Sequence, residues 1–142
     1  MSEIVVRQRV EAPPSTVYRF LTESDKWVRW QGEEAILDAR VGGVFSMTMA
    51  DGATARGQFI ELVADRRVVF SWGWLDRPGI PPGSTIVDIE LTADGAGTLV
   101  VLTHRSMPGD EVRPHEMGWA HYLPRLAIAA EGGSPAPDSG PG

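Results

Sequence analysis

Polar and hydrophobic positions alternate from the start of the chain. In EIVVRQRVEA, Ile4, Val6 and Val10 are interleaved with Arg7, Arg9 and Glu11. A repeat of two puts successive side chains on opposite faces, which predicts a strand with one buried side. The period then lengthens. In APPSTVYRFLTESDKWVRW the prolines Pro13 and Pro14 suit a helix entry, and Val17, Phe20 and Leu21 fall three or four apart on one helical face. Ser24 and Asp25 read as the cap of a short second helix that carries Trp27 and Trp30.

From Glu33 to His104 the pattern is strand, turn, strand. AILDARV stops at Gly42-Gly43, VFSMTMA at Asp51-Gly52, and ATARGQFIELV at Ala64-Asp65-Arg66. RVVFSWGW runs into a loop rich in proline and glycine, TIVDIELT stops at Asp94-Gly95, and GTLVVLTH follows. Six consecutive strands on short turns predict an antiparallel, strongly curved sheet. Helical spacing returns from about Asp110 to Ala130, where Trp119, Tyr122 or Leu123, Leu126 and Ala130 form an apolar stripe. Pro124 lies inside it, and a proline there removes a hydrogen bond, so two segments or a bend near Ala120 are expected.

The fold class is therefore α+β, in the order β-α-α-β6-α, with about seven strands wrapped around the last helix. A curved sheet does not collapse completely onto a cylinder, so a cavity between helix and sheet is expected. The last dozen residues, EGGSPAPDSGPG, contain no large apolar side chain. Such a segment buries too little surface to offset its ordering entropy. The chain is expected to divide into a domain over residues 1–130 and a disordered tail over 131–142.

Composition narrows the function classes. The hydrophobic fraction is 42% and the charged fraction 23%, ordinary for a soluble globular domain. No apolar run approaches the ~20 residues of a membrane span, and the N-terminus has no signal-peptide pattern. There is no cysteine, so disulfides, a thiol nucleophile and a cysteine-based zinc site are excluded, and a cytoplasmic location is expected. Net charge is −6, and the basic residues, 12 arginines and one lysine, are scattered, which argues against a nucleic-acid partner.

The chain resembles a helix-grip domain (START-like, or SRPBCC), and within that superfamily the group related to the C-terminal domain of the activator of the Hsp90 ATPase (AHSA1-like). The opening VEAPPSTVYRFLTESDKWVRW, Gly57 in ARGQFIEL, the run RRVVFSWGW and the closing ELTADGAGTLVVLTH and EMGWAHYLPRLA carry the likeness, over roughly residues 3–130. Pro124 departs from it, as does WQGE at Trp30 to Glu33, which lacks a proline often found after the tryptophan-glycine segment. The resemblance implies the helix-grip fold and a tendency to bind apolar ligands. It implies no shared catalytic set, because the superfamily includes lipid carriers, hormone receptors, cyclases and chaperone regulators.

Candidate site residues follow from which positions share the concave face. Phe70, Trp72 and Trp74 point one way from their strand, Val87, Ile89 and Leu91 join them from the next, and Val100, Leu102 and His104 from the last. The expected cavity wall is Trp30, Phe45, Met47, Trp72, Trp74, His104, Met117, Trp119 and Tyr122, with Met49 an alternative to Met47 and Arg77 to Ser84 a proline-stiffened lid. Plain core packing is the competing explanation for the aromatic row. His104 is the best acid–base candidate, with a histidine hydrogen-bonded at a strand end as its structural alternative. His115 and His121 are six apart on a helix, which does not make a metal pair, and no metal or cofactor is expected. Glu33, Glu34 and Glu61 are within reach of the cavity mouth but unpaired by sequence, and no serine sits in a nucleophile motif.

Three functions remain in view. The first is binding of a small hydrophobic or amphipathic molecule in the cavity. The second is a cyclase or hydratase using the same cavity with His104 as acid–base group. The third is a chaperone-associated interaction module, the least expected. A homodimer is left open.

Overall fold

The computed structural model describes residues 2–141. Its elements are β1 (Ser2–Val10), α1 (Pro14–Thr22), α2 (Ser24–Trp27), β2 (Glu34–Leu37), β3 (Val44–Thr48), β4 (Thr54–Val63), β5 (Arg67–Trp72), β6 (Thr85–Asp94), β7 (Gly97–Met107) and α3 (Val112–Ala130), with one 3-10 turn over Gly109–Glu111. The strands form one antiparallel, seven-stranded sheet in the order β1-β7-β6-β5-β4-β3-β2. The expected class and order are present: α+β, a curved sheet, and a long helix after the last strand. Register shifts between Ser2 and Ile4 in β1 and between Phe59 and Glu61 in β4 interrupt the regular pairing, and such irregularities add local bend and twist to a sheet.

The concave face is filled by aromatic rings. Phe45 and Phe70 stack at 4.0 Å and 14°, and Trp27 stands edge-on to both, 5.3 and 6.0 Å away. Trp30 lies 4.6 Å from Trp27 and donates its indole N–H to the Phe20 carbonyl at 3.1 Å. A buried indole removes roughly 200 Å² from water, about 5 kcal/mol at ~25 cal/mol per Å². Rings placed so closely leave no room between them, and this end of the grip is solid core. Ser24 does not cap α2; its hydroxyl accepts the Leu37 N–H at 3.0 Å and ties α2 to β2.

Two glycines let backbone approach backbone. A Cβ at Gly57 would overlap the Ser71 carbonyl, and one at Gly73 would overlap the Pro81 carbonyl. Gly73 thereby lets the proline loop fold onto the end of β5, where Trp74 N–H donates to Ile80 O at 2.7 Å. Ile80 is buried with Ile4 and Met107 in a small second cluster. The loop is thus fastened to the sheet.

α3 runs without interruption through Pro124, so the two expected segments are one helix. Pro124 and the carbonyl-bearing Ala120 are both exposed, and water can take the hydrogen bond that proline cannot supply. The helix ends in a Schellman turn: Gly132 adopts φ +92°, with Gly132 N–H donating to Ala129 O and Gly133 N–H to Ile128 O. Residues 133–141 contain no helix or strand and lie against α3. Asp138 accepts the Tyr122 hydroxyl at 2.7 Å and contacts His121 Nε2 at 2.9 Å, while Arg125 donates to Ala136 O at 2.5 Å.

Candidate functional site

β5 ends on Trp72, and the chain continues through Gly73 to Trp74, which makes an isolated bridge to Ala55 in β4. Alternation keeps both indoles on the concave side. α3 brings Trp119 against them. Trp72 lies 5.4 Å from Trp74 at 85° and 5.3 Å from Trp119 at 54°. Between these rings is a cavity of about 160 Å³. Met49, Pro114, Gly118 and Tyr122 add to its wall, Gln31, Arg77 and His115 bring polar groups, and Pro141 of the terminal segment sits at its edge. Arg77 lies over the Trp74 ring at 5.4 Å and pairs with Glu111 at 3.2 Å.

Both buried histidines are held in single tautomers. Trp119 Nε1–H donates to His104 Nδ1 at 3.1 Å, so the His104 proton is on Nε2. Nε2–H donates to Thr85 Oγ1 at 2.8 Å, and that hydroxyl donates onward to the Trp72 carbonyl at 2.8 Å. In the same way Trp74 Nε1–H donates to His115 Nε2 at 3.0 Å, and His115 Nδ1–H donates to the Glu111 carbonyl at 2.9 Å. Burial, with His115 close by, lowers the His104 pKa to about 3. Burial lowers that of His115 also, against the opposing pull of Glu111. The rings are 5.7 Å apart. Two neutral imidazoles with every nitrogen occupied brace the tryptophans and have no lone pair or proton free for a substrate.

Of the nine expected wall residues, Trp72, Trp74, Trp119 and Tyr122 line the cavity. His104 stands one shell behind it, fully buried and bonded to Trp119. Trp30, Phe45 and Met47 are on the concave side but wholly buried in the packed end of the core and do not touch the cavity. Met117 is corrected outright: it is 44% exposed on the outer side of α3, because two residues before Trp119 is about half a turn away. Glu33 and Glu34 border a separate open groove with Ser24 and Arg56, and Glu61 pairs with Arg67 at 3.2 Å. His115 was legible, since 115, 119 and 122 repeat at helical spacing. Gln31 carried no such signal; it follows the α2 turn, and only the meeting of that turn with the helix and sheet places it at the cavity.

Among the described residues no cluster of histidine and carboxylate side chains is suited to a metal ion, and no helix is long and apolar enough to cross a membrane. Asp88, the one buried carboxylate among the described residues, serves the sheet: Arg67 and Arg105 reach it at 2.6 and 2.8 Å. Burial alone would raise its pKa, but the two guanidinium groups outweigh that and lower it.

Comparison with known proteins agrees with the architecture. The family model described as activator of Hsp90 ATPase homolog 1-like protein matches residues 11–131. An AHSA1-like protein from Rhizobium etli is 40% identical, with a TM-score of 0.74 over 97% of this chain and 88% of that one. The Aha1 dimer from Colwellia psychrerythraea superimposes with a TM-score of 0.81 at 21% identity, over 92% of this chain and 97% of that one. DynU16, of the dynemicin biosynthetic locus, gives 0.81 at 24% identity over 95% of this chain and 49% of its own, so the present chain spans about half its length. Among curated proteins no sequence matches. The order of strands and helices, the grip of the sheet on α3 and these matches agree: the chain belongs to the AHSA1-like family of helix-grip proteins.

Proposed function

We propose that this protein binds a small, largely apolar molecule in the cavity between α3 and the end of β5. One observation carries the reading. Where Trp27, Trp30, Phe45 and Phe70 close the rest of the concave face, the space between Trp72, Trp74 and Trp119 stays open at about 160 Å³. A dry apolar cavity of about 150 Å³ is large enough for a benzene-sized guest. The ligand is therefore one ring or a short chain, unless the terminal segment moves from the mouth. The engaged nitrogens of His104 and His115 favour binding over acid–base catalysis. A cytoplasmic setting belongs to the same reading. A homodimer, for which the Colwellia Aha1 dimer offers a precedent of fold, is checked by sedimentation.

Native mass spectrometry of the purified protein should find a co-purified molecule of this size, and Trp74→Ala should lose it. An unliganded protein whose tryptophan fluorescence ignores a panel of small aromatics and aliphatics would sink the proposal. Unchanged binding in Trp74→Ala would remove that side chain from the wall.

A further inference from the structure

Among the described residues that line the cavity, Pro141 alone comes from the terminal segment 133–141, which has neither helix nor strand. That segment runs back along α3 in reverse order. Gly132, at φ +92°, turns the chain. Arg125 Nη1 then donates to Ala136 O at 2.5 Å, and the Tyr122 hydroxyl and His121 Nε2–H donate to the two oxygens of Asp138 at 2.7 and 2.9 Å. Pro141 joins Gly118 and Pro114 at the cavity, one and two turns before Tyr122. Gly140 N–H folds back to Asp138 Oδ1 at 2.9 Å, so the same carboxylate shapes the turn that leads to Pro141. None of residues 133–141 is buried. Hydrogen bonds to a carboxylate are stronger than neutral ones, but exposed contacts contribute little net, and every ordered residue costs chain entropy. The docked and released forms of such a segment are close in free energy, and a ligand that favours one shifts the population.

Resting on the binding function proposed above, we infer that residues 133–141 are a strap that sets the size of ligand the cavity admits, with Asp138 as its latch. With the strap docked, Pro141 helps bound a space of about 160 Å³, and a single ring fits. With the strap released, the wall at Pro141 is withdrawn, and a two-ring apolar molecule enters against Trp72, Trp74 and Trp119. A large guest therefore binds only the released fraction of the protein, and its apparent affinity falls by that fraction, whereas a single ring binds both forms. Tyr122 couples the two events, since its ring lines the cavity and its hydroxyl holds the latch.

Benzene and biphenyl are the probes, titrated into the full chain and followed by the indole N–H resonances of Trp74 and Trp119. Asp138→Ala removes an exposed side chain and should tighten biphenyl binding about tenfold, with benzene changed by less than about twofold. Tyr122→Phe keeps the ring in the wall and removes the hydroxyl; it should tighten biphenyl in the same way, and the double variant should add nothing further. In the wild type, saturating biphenyl should move the Ser139 and Gly140 amide resonances toward random-coil positions, and benzene should leave them in place. Benzene bound with biphenyl affinity equal in wild type and Asp138→Ala overturns the strap and leaves the cavity reading standing. Equal gains for both probes overturn it also, because the latch would then not discriminate by size. Failure of both probes to bind any of these proteins sinks both proposals.

Discussion

His104 is neutral because its surroundings leave it no other state. Its Nδ1 takes a proton from Trp119, its Nε2 gives one to Thr85, and burial opposes a charge. A folded pKa of about 3 against ~6.5 in the unfolded chain means that the unfolded state takes up protons first as pH falls. Stability from this group is full above about pH 6.5 and is lost progressively down to about 3, with a slope approaching ~1.4 kcal/mol per pH unit. His115 shifts in the same direction and steepens the loss. Urea unfolding at steps between about pH 7 and pH 4.5, above the range in which Asp88 titrates, checks it; a flat profile contradicts the neutral pair. Trp119→Phe keeps a ring in place but leaves Nδ1 without its donor, and should cost about 2–3 kcal/mol by the same measurement. The alternation of β7 was enough to bury His104. A hydrogen-bonded role was one of the two open to it; its partners were not legible, because they arrive from β6 and α3.

The strands and helices are governed by steric facts only partly written in the local pattern. Period two placed the strands, and period 3.6 placed α3 with Trp119, Tyr122 and Leu126 inward. Gly132 and Gly133 mark the helix end at the Schellman turn. Pro124 is the instructive exception: propensity predicts a break, yet packing of the inward stripe holds the helix through it. Replacing Pro124 by Ala should restore the hydrogen bond to Ala120 and stabilise the fold by about 1–2 kcal/mol, read as a higher Tm with unchanged far-UV dichroism. Gly73→Ala should act in the opposite sense, by roughly 2 kcal/mol or more, because its Cβ meets the Pro81 carbonyl and lifts the loop that fastens Trp74. The sequence shows glycine at that position, but only the folded loop shows what lies against it.

Across the whole molecule, the cavity and the terminal segment are one system. Tyr122 contributes to the wall and also holds Asp138, whose neighbours carry the chain to Pro141, which lines the same cavity. Burial, reinforced by Asp138, raises the Tyr122 pKa. Deleting residues 133–142 should leave the fold cooperative, return Tyr122 toward its ordinary titration range and speed ligand association. Absorbance titration of tyrosinate and stopped-flow binding measure the two effects, and unchanged association would mean that Pro141 does not restrict the mouth.

Class, element order, the inward residues other than Met117, and the family were present in the chain itself, because hydrophobic period, turn residues and helix-end glycines act over two to five neighbours. The position of the cavity was decided by the folded structure alone. Trp27, Trp30, Phe45 and Trp72 look alike as inward aromatics, and the first three close upon one another while Trp72 faces space. Which rings meet depends on volumes delivered by several elements at once, and no local pattern encodes that sum. The same long-range meeting brought Gln31 to the wall and locked both imidazoles, making His104, the best acid–base candidate in the sequence, the hydrogen-bonded histidine that was its structural alternative.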